Sequence, residues 1–162
     1  MKTKFRLLVA ALAVASVTPA TAATVNNSFT VSVNLSSRCI ATNSGAGTLD
    51  FGTYTAFQGS AAAPAAPVTL TFDCTRGLAP VSVAFDTTNG SAAGVGVLAG
   101  LQYSLSTSAA TTVAGIAAST STIGSADAVS YSVNGTMPAL QAGTCGTATC
   151  AASHTRTLIV TY

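Results

Sequence analysis

Residues 25–35 read V-N-N-S-F-T-V-S-V-N-L, a two-residue alternation that only an extended chain can use. Val25, Phe29, Val31, Val33 and Leu35 share one parity, broken only by Asn27. Asn26, Ser28, Thr30, Ser32 and Asn34 hold the other. As a strand the segment has one apolar and one polar edge. Burying its five large side chains is worth roughly 8–15 kcal/mol at about 1.5–3 each, and ordering about ten residues costs a similar amount. The segment therefore cannot hold itself. It requires a groove and a ladder of backbone partners, in this chain or in another.

What precedes the segment indicates the compartment. Lys2, Lys4 and Arg6 open the chain, residues 7–17 are almost wholly apolar, and residues 19–23 read P-A-T-A-A. A basic start, an apolar run of about 11 residues and an A-x-A site make a secretory signal, too short to span a bilayer. The chain divides into a signal peptide over residues 1–22, the alternating segment over 23–35 and a body over 36–162. Without the signal, Arg38, Arg76 and Arg156 face Asp50, Asp73, Asp86 and Asp127, so the net charge becomes −1 in place of the full chain's +2. No basic patch is left to attract nucleic acid or anionic lipid, and no second apolar run is long enough to span a membrane. About 140 residues suffice for one domain with a core.

In an exported chain four cysteines read as two disulfides, with three pairings open. Cys145 and Cys150 enclose only G-T-A-T and read as a local clip. That leaves Cys39 with Cys74. Loop entropy gives roughly 4 kcal/mol for the long bridge, which closes about 36 residues, and roughly 2 kcal/mol for the clip. As a metal site C-x₄-C is weak, because only His154 is near. No metal and no cofactor are expected.

The rest of the chain is a succession of short strands. Leu49 and Phe51 alternate over residues 48–54; Val68, Leu70, Phe72 and Cys74 alternate over 68–74; Val81, Val83 and Phe85 follow. Asn89-Gly90 marks a reversal, and the glycine-rich residues 94–100 read as a mobile loop. Leu101, Tyr103 and Leu105 form the next strand. Residues 106–125 are a Ser/Thr/Ala stretch with one short strand near 113–116. Val129, Tyr131 and Val133 alternate before a second turn at Asn134-Gly135, and the last strand covers 155–162. No helical periodicity occurs outside the leader. Abundant β-branched residues, scarce charge and no Glu suit an all-β protein with an assembly-prone surface. Short strands with turns at this spacing predict a Greek-key β-sandwich of immunoglobulin-like type. The body has about six strands where that fold wants seven, and the last one ends with the chain. An open groove is expected.

An alternating strand before the first cysteine, then L-D-F-G-T-Y at residues 49–54 and F-D-C at 72–74, resembles the spore coat protein U family. L-Q-Y-S-L at 101–105 and T-L-I-V-T-Y at 157–162 extend the resemblance over essentially the whole mature chain. That family includes subunits of archaic, Csu-type chaperone–usher pili. The resemblance implies an incomplete immunoglobulin-like fold lacking its final strand. It implies a periplasmic chaperone that lends a strand, and an outer-membrane usher that exchanges it for the N-terminal segment of the next, identical or related subunit, head to tail. Phe29, Val31, Val33 and Leu35, with Val25, are then the pocket-filling positions. Leu158, Val160 and Tyr162 become the chaperone-facing terminal strand, and the mature protein lies at the cell surface in a fimbrium that supports adhesion and biofilm formation. The chain departs from the family at His154-Thr155-Arg156, where a Tyr and an acidic residue are usual, and in its 145–150 clip.

Enzyme readings fare poorly. His154 is the lone histidine and reads as a loop residue, the four aspartates are scattered at strand ends and turns, and no G-x-S-x-G is present. Gly94, Gly96 and Gly100 precede no helix and make no phosphate loop. A polymerising subunit is the leading expectation. A self-complemented secreted coat protein is the alternative. An adhesive tip module is disfavoured by the absence of Trp and of a second domain.

Overall fold

The strand at the centre of the fold is Asp127–Thr136, whose odd-numbered residues are all buried. Val129, Tyr131 and Val133 on that parity make up much of the core, joined by Cys74 and Leu158. The structure, a computed structural model, describes residues 24–42, 47–88 and 92–162. The expected leader over residues 1–22 and the Asn89-Gly90 reversal lie outside the described residues. Eight strands are formed: β1 (Cys39–Ala41), β2 (Val68–Cys74), β3 (Ser82–Phe85), β4 (Val95–Leu98), β5 (Leu101–Thr107), β6 (Thr111–Val113), β7 (Asp127–Thr136) and β8 (Leu158–Thr161). No helix occurs among the described residues.

All the strand pairings are antiparallel. One sheet runs β1-β2-β7-β5-β4, with β6 also on β7. β2 lies along the first part of β7, from Val68 opposite Val133 to Cys74 opposite Asp127. β6 and then β5 share its other flank, through Thr112 opposite Val129 and Leu105 opposite Gly135. The second sheet is a single pair, β3 with β8, from Ser82 opposite Thr161 to Phe85 opposite Leu158. The order β1-β2-β7-β5 is that of the A-B-E-D sheet of an immunoglobulin-like sandwich, and β3-β8 stands in the place of its C-F pair. Residues 35–162 make one unit.

Cys39 and Cys74 are bonded and sit directly opposite each other in the β1–β2 register. The bridge staples the short edge strand to the core, and Cys74 is fully buried. Cys145 is bonded to Cys150.

Several local expectations need correction. Residues 48–54 form no ladder strand. The Asp50 carboxylate accepts the Gly52 N–H at 2.8 Å, and Gly52 has φ 67°, so the extended run is interrupted at Gly52. The Asn134-Gly135 pair is no turn but the end of β7. Gly135 is needed there for space, because a Cβ would come within 2.7 Å of the Phe51 ring. The glycine-rich stretch 94–100 is the β4 strand with a two-residue turn at Ala99-Gly100. Both turn residues have positive φ, 49° and 70°, as a primed hairpin turn requires. The Ser/Thr-rich strand falls at Thr111–Val113, two residues earlier than expected.

Candidate functional site

Few side chains are fully buried among the described residues, and a cleft of about 1430 Å³ opens beside them. Its floor carries Val68 and Leu70 of β2, Val133 of β7, and Leu101, Tyr103 and Leu105 of β5. Phe85 of β3 and Leu158 of β8 reach it from the smaller sheet, and residues 47–56 and 142–157 supply further lining. Protein interiors are close-packed; a volume of this size is room for several missing side chains.

Two of the lining segments have open backbone edges. β8 is paired only with β3 among the described strands. Residues 47–56 are in no strand at all, although Leu49 packs against the core and Phe51 stands 6.0 Å from the Tyr103 ring. Leu158 is buried, Val160 is half-buried against the core, and Tyr162 remains 48% exposed.

Residues 24–38 form no regular element. Val25 is 92% exposed and Phe29 87%, and Val31, Val33 and Leu35 are equally open to solvent. Five large apolar side chains on one parity thus stand unburied in a single stretch, which soluble chains avoid unless the stretch has a partner.

One polar cluster lies among the cleft-lining residues. The Arg156 Nε donates to Asp86 Oδ1 at 2.7 Å and Nη2 to the Asp86 carbonyl at 2.8 Å. Nη1 donates to the Tyr103 hydroxyl at 2.9 Å, and that hydroxyl also bonds His154 Nε2. Weaker bonds run from the guanidinium to the Ala92 and Val95 carbonyls. One side chain therefore ties the start of β8 to β3, β4 and β5. Gly96, opposite Tyr103 in the β4–β5 register, leaves the room its phenol needs; a Cβ there would overlap the hydroxyl. Sequence reasoning set Asp86 and His154 aside as loop and strand-end residues. The signal was parity: Arg156 shares the inward side of Leu158 and Val160, and a charge there demands a partner.

Burial alone would push the Asp86 carboxyl up, but hydrogen bonds from Thr88, Arg156 and the Thr157 backbone, with the Arg156 charge, outweigh it and hold it below its ordinary 3.8. The Gly77 and Gly115 N–H groups hold Asp127 below 3.8 as well, against burial and helped by Arg76. Carboxyls lowered in the fold stabilise it above their unfolded value, and that stability goes as pH falls through the lower folded value. The melting temperature is thus expected to be level from neutrality to about pH 4.5 and to fall steeply below about pH 3.8. Thermal unfolding followed by circular dichroism across that range checks it; a curve still level at about pH 2 contradicts it.

A family comparison matches the Spore Coat Protein U domain over residues 25–160. No curated protein and no solved structure matches the chain.

Proposed function

The chain belongs to the Spore Coat Protein U domain family, a family of structural surface and coat proteins rather than enzymes, and from that premise we propose that it is a fibre subunit that polymerises by strand addition. Residues 25–35 of one subunit fill the cleft of the next, along the open edge of β8. Main-chain bonds hold the inserted strand, and alternate side chains occupy the floor positions. The observation that carries this reading is the cleft itself, open along β8 and along residues 47–56, in a chain whose residues 25–35 also expose apolar side chains on a single parity. In immunoglobulin-like terms the inserted segment supplies the G strand beside F. Before assembly a periplasmic chaperone covers the same cleft, reaching it along Leu158, Val160 and Tyr162, and an outer-membrane usher manages the exchange. The leader at residues 1–22 starts this route, residues 23–35 are the donor and 36–162 the acceptor domain. The product is a surface fimbrium that supports adhesion and biofilm formation.

Strand direction favours a donor from another copy over a self-complemented coat protein. β2 and β3 are joined by residues 75–81 alone, and consecutive strands so joined across a sandwich run in opposite directions. β8 is antiparallel to β3, so it runs with β2 and against β1. A strand added antiparallel to β8 therefore runs the same way as β1. To supply it from its own chain, residues 36–38 would have to return from the end of the donor to the start of β1. Those links reach about 14 Å, whereas an eleven-residue strand is roughly 35 Å long. A head-to-tail contact of this kind does not close on itself, and so it builds a filament.

The reading is tested by hydrogen exchange on monomer and polymer. Backbone amides of residues 48–54 and of β8 are expected to exchange at least about a hundredfold more slowly in the polymer, because the inserted strand protects both edges. Equal exchange in the two states contradicts the reading.

A further inference from the structure

We propose that the Cys145–Cys150 disulfide is a positioning element of the cleft, closing residues 145–150 into a ring that keeps the surrounding wall shaped to receive a strand. The inference rests on the strand-acceptor reading and adds to it a determinant of affinity.

Residues 144–153 are all exposed, and nearly all of them line the cleft. The stretch has firm attachments only at its ends. The Thr144 N–H donates to the Ala99 carbonyl at 2.7 Å, with Gly143 close against Leu101. At the far end His154 bonds Tyr103 and Arg156 holds Asp86. In between, the Thr147 hydroxyl bonds the Thr149 carbonyl, inside the ring itself. The residues that make this wall read T-C-G-T-A-T-C-A-A-S, too small to hold their place by packing over an empty cleft. The covalent clip replaces that packing. It bypasses residues 146–149, so the free path from Thr144 to His154 is shortened by nearly half.

The two bridges thus differ in role. Cys39–Cys74 joins two strands in the core, with Cys74 wholly buried. Cys145–Cys150 joins no two strands, and both its cysteines are exposed. A six-residue ring restrains the unfolded chain less than a long loop does, and its effect is local: it lowers the ordering that binding must otherwise impose on the wall.

The test uses the full mature chain with Phe29→Glu and Val31→Glu, so that the segment of another copy does not compete, and a fluorescein-labelled synthetic peptide of residues 24–35. Peptide affinity is compared with the clip intact, with Cys145→Ser/Cys150→Ser, and with the same two serines after deletion of residues 146–149. Loss of the clip is expected to raise the Kd about tenfold, and the deletion, which shortens the wall without a disulfide, to restore it to within about twofold. Equal affinity with and without the clip overturns the proposal and leaves the strand-acceptor reading standing. A loss that the deletion does not rescue also overturns it. If the clip-intact protein takes up no peptide, the strand-acceptor reading falls and this inference with it.

Discussion

Phe29→Glu is expected to abolish the polymer and leave the melting temperature of the monomer unchanged. In the monomer Phe29 is 87% exposed, and exposed substitutions away from special contacts move stability by less than about 0.5 kcal/mol. In the proposed joint the same side chain enters an apolar cleft. The joint then loses about 1.5–3 kcal/mol of aromatic burial, and it must also take a carboxylate out of water, which costs several kcal/mol more. A loss of about 5 kcal/mol per joint is more than three decades in affinity. Size-exclusion chromatography and electron microscopy read the outcome; fibres of normal length from the variant contradict the assignment of residues 25–35. Ser28→Glu, one residue away on the other parity, should still polymerise.

Arg156→Met is the substitution with the largest expected effect on the fold. The Arg156 and Asp86 side chains are each only 9% exposed. Removing the guanidinium leaves the Asp86 carboxylate without its charge partner, and takes a donor from the Asp86 carbonyl and from the Tyr103 hydroxyl. Breaking a buried pair from one side costs about 3–5 kcal/mol. That is a large share of the total for a domain of this size, so a drop in melting temperature of roughly 10–20 °C is expected. Combining Arg156→Met with Asp86→Leu should recover much of the loss, since two apolar groups replace an ion pair more cheaply than one orphaned charge. Equal destabilisation in the single and double variants contradicts the coupling.

Parity made much of the sandwich readable before any coordinates. Val68–Cys74 is β2 to the residue, and Val129, Tyr131 and Val133 are the buried face of β7, because one buried and one wetter face writes a two-residue period into the sequence. Where parity was read without the partner strand, the reading slipped. Residues 48–54 alternate like a strand, yet a ladder needs a neighbour, and in the single chain that neighbour is missing. Asn134-Gly135 looks like a turn by residue type, but the Phe51 ring, far off in sequence, claims the space beside Gly135. The hairpin at Ala99-Gly100 was hidden because its first turn residue is alanine, an uncommon choice for positive φ. An open groove was legible only as an expectation, and the strand count behind it was low: about six strands were expected for the body and eight form among the described residues. The groove's polar corner was not legible, because Asp86, Tyr103 and the His154–Arg156 stretch come from three separate segments and converge only in the folded chain.

The most direct test of strand addition is the melting temperature of residues 36–162, alone and with a synthetic peptide of residues 23–35. A cleft of about 1430 Å³ left open should make the isolated domain weak. At a hundredfold excess over its Kd the peptide adds about 2.7 kcal/mol, which for this size is a rise of roughly 10 °C. A sharp, concentration-dependent rise, lost with a peptide carrying Phe29→Glu, is the predicted result. A domain that is already stable and melts at the same temperature with or without the peptide would mean that the sandwich is complete in itself, and residues 25–35 would then be no donor.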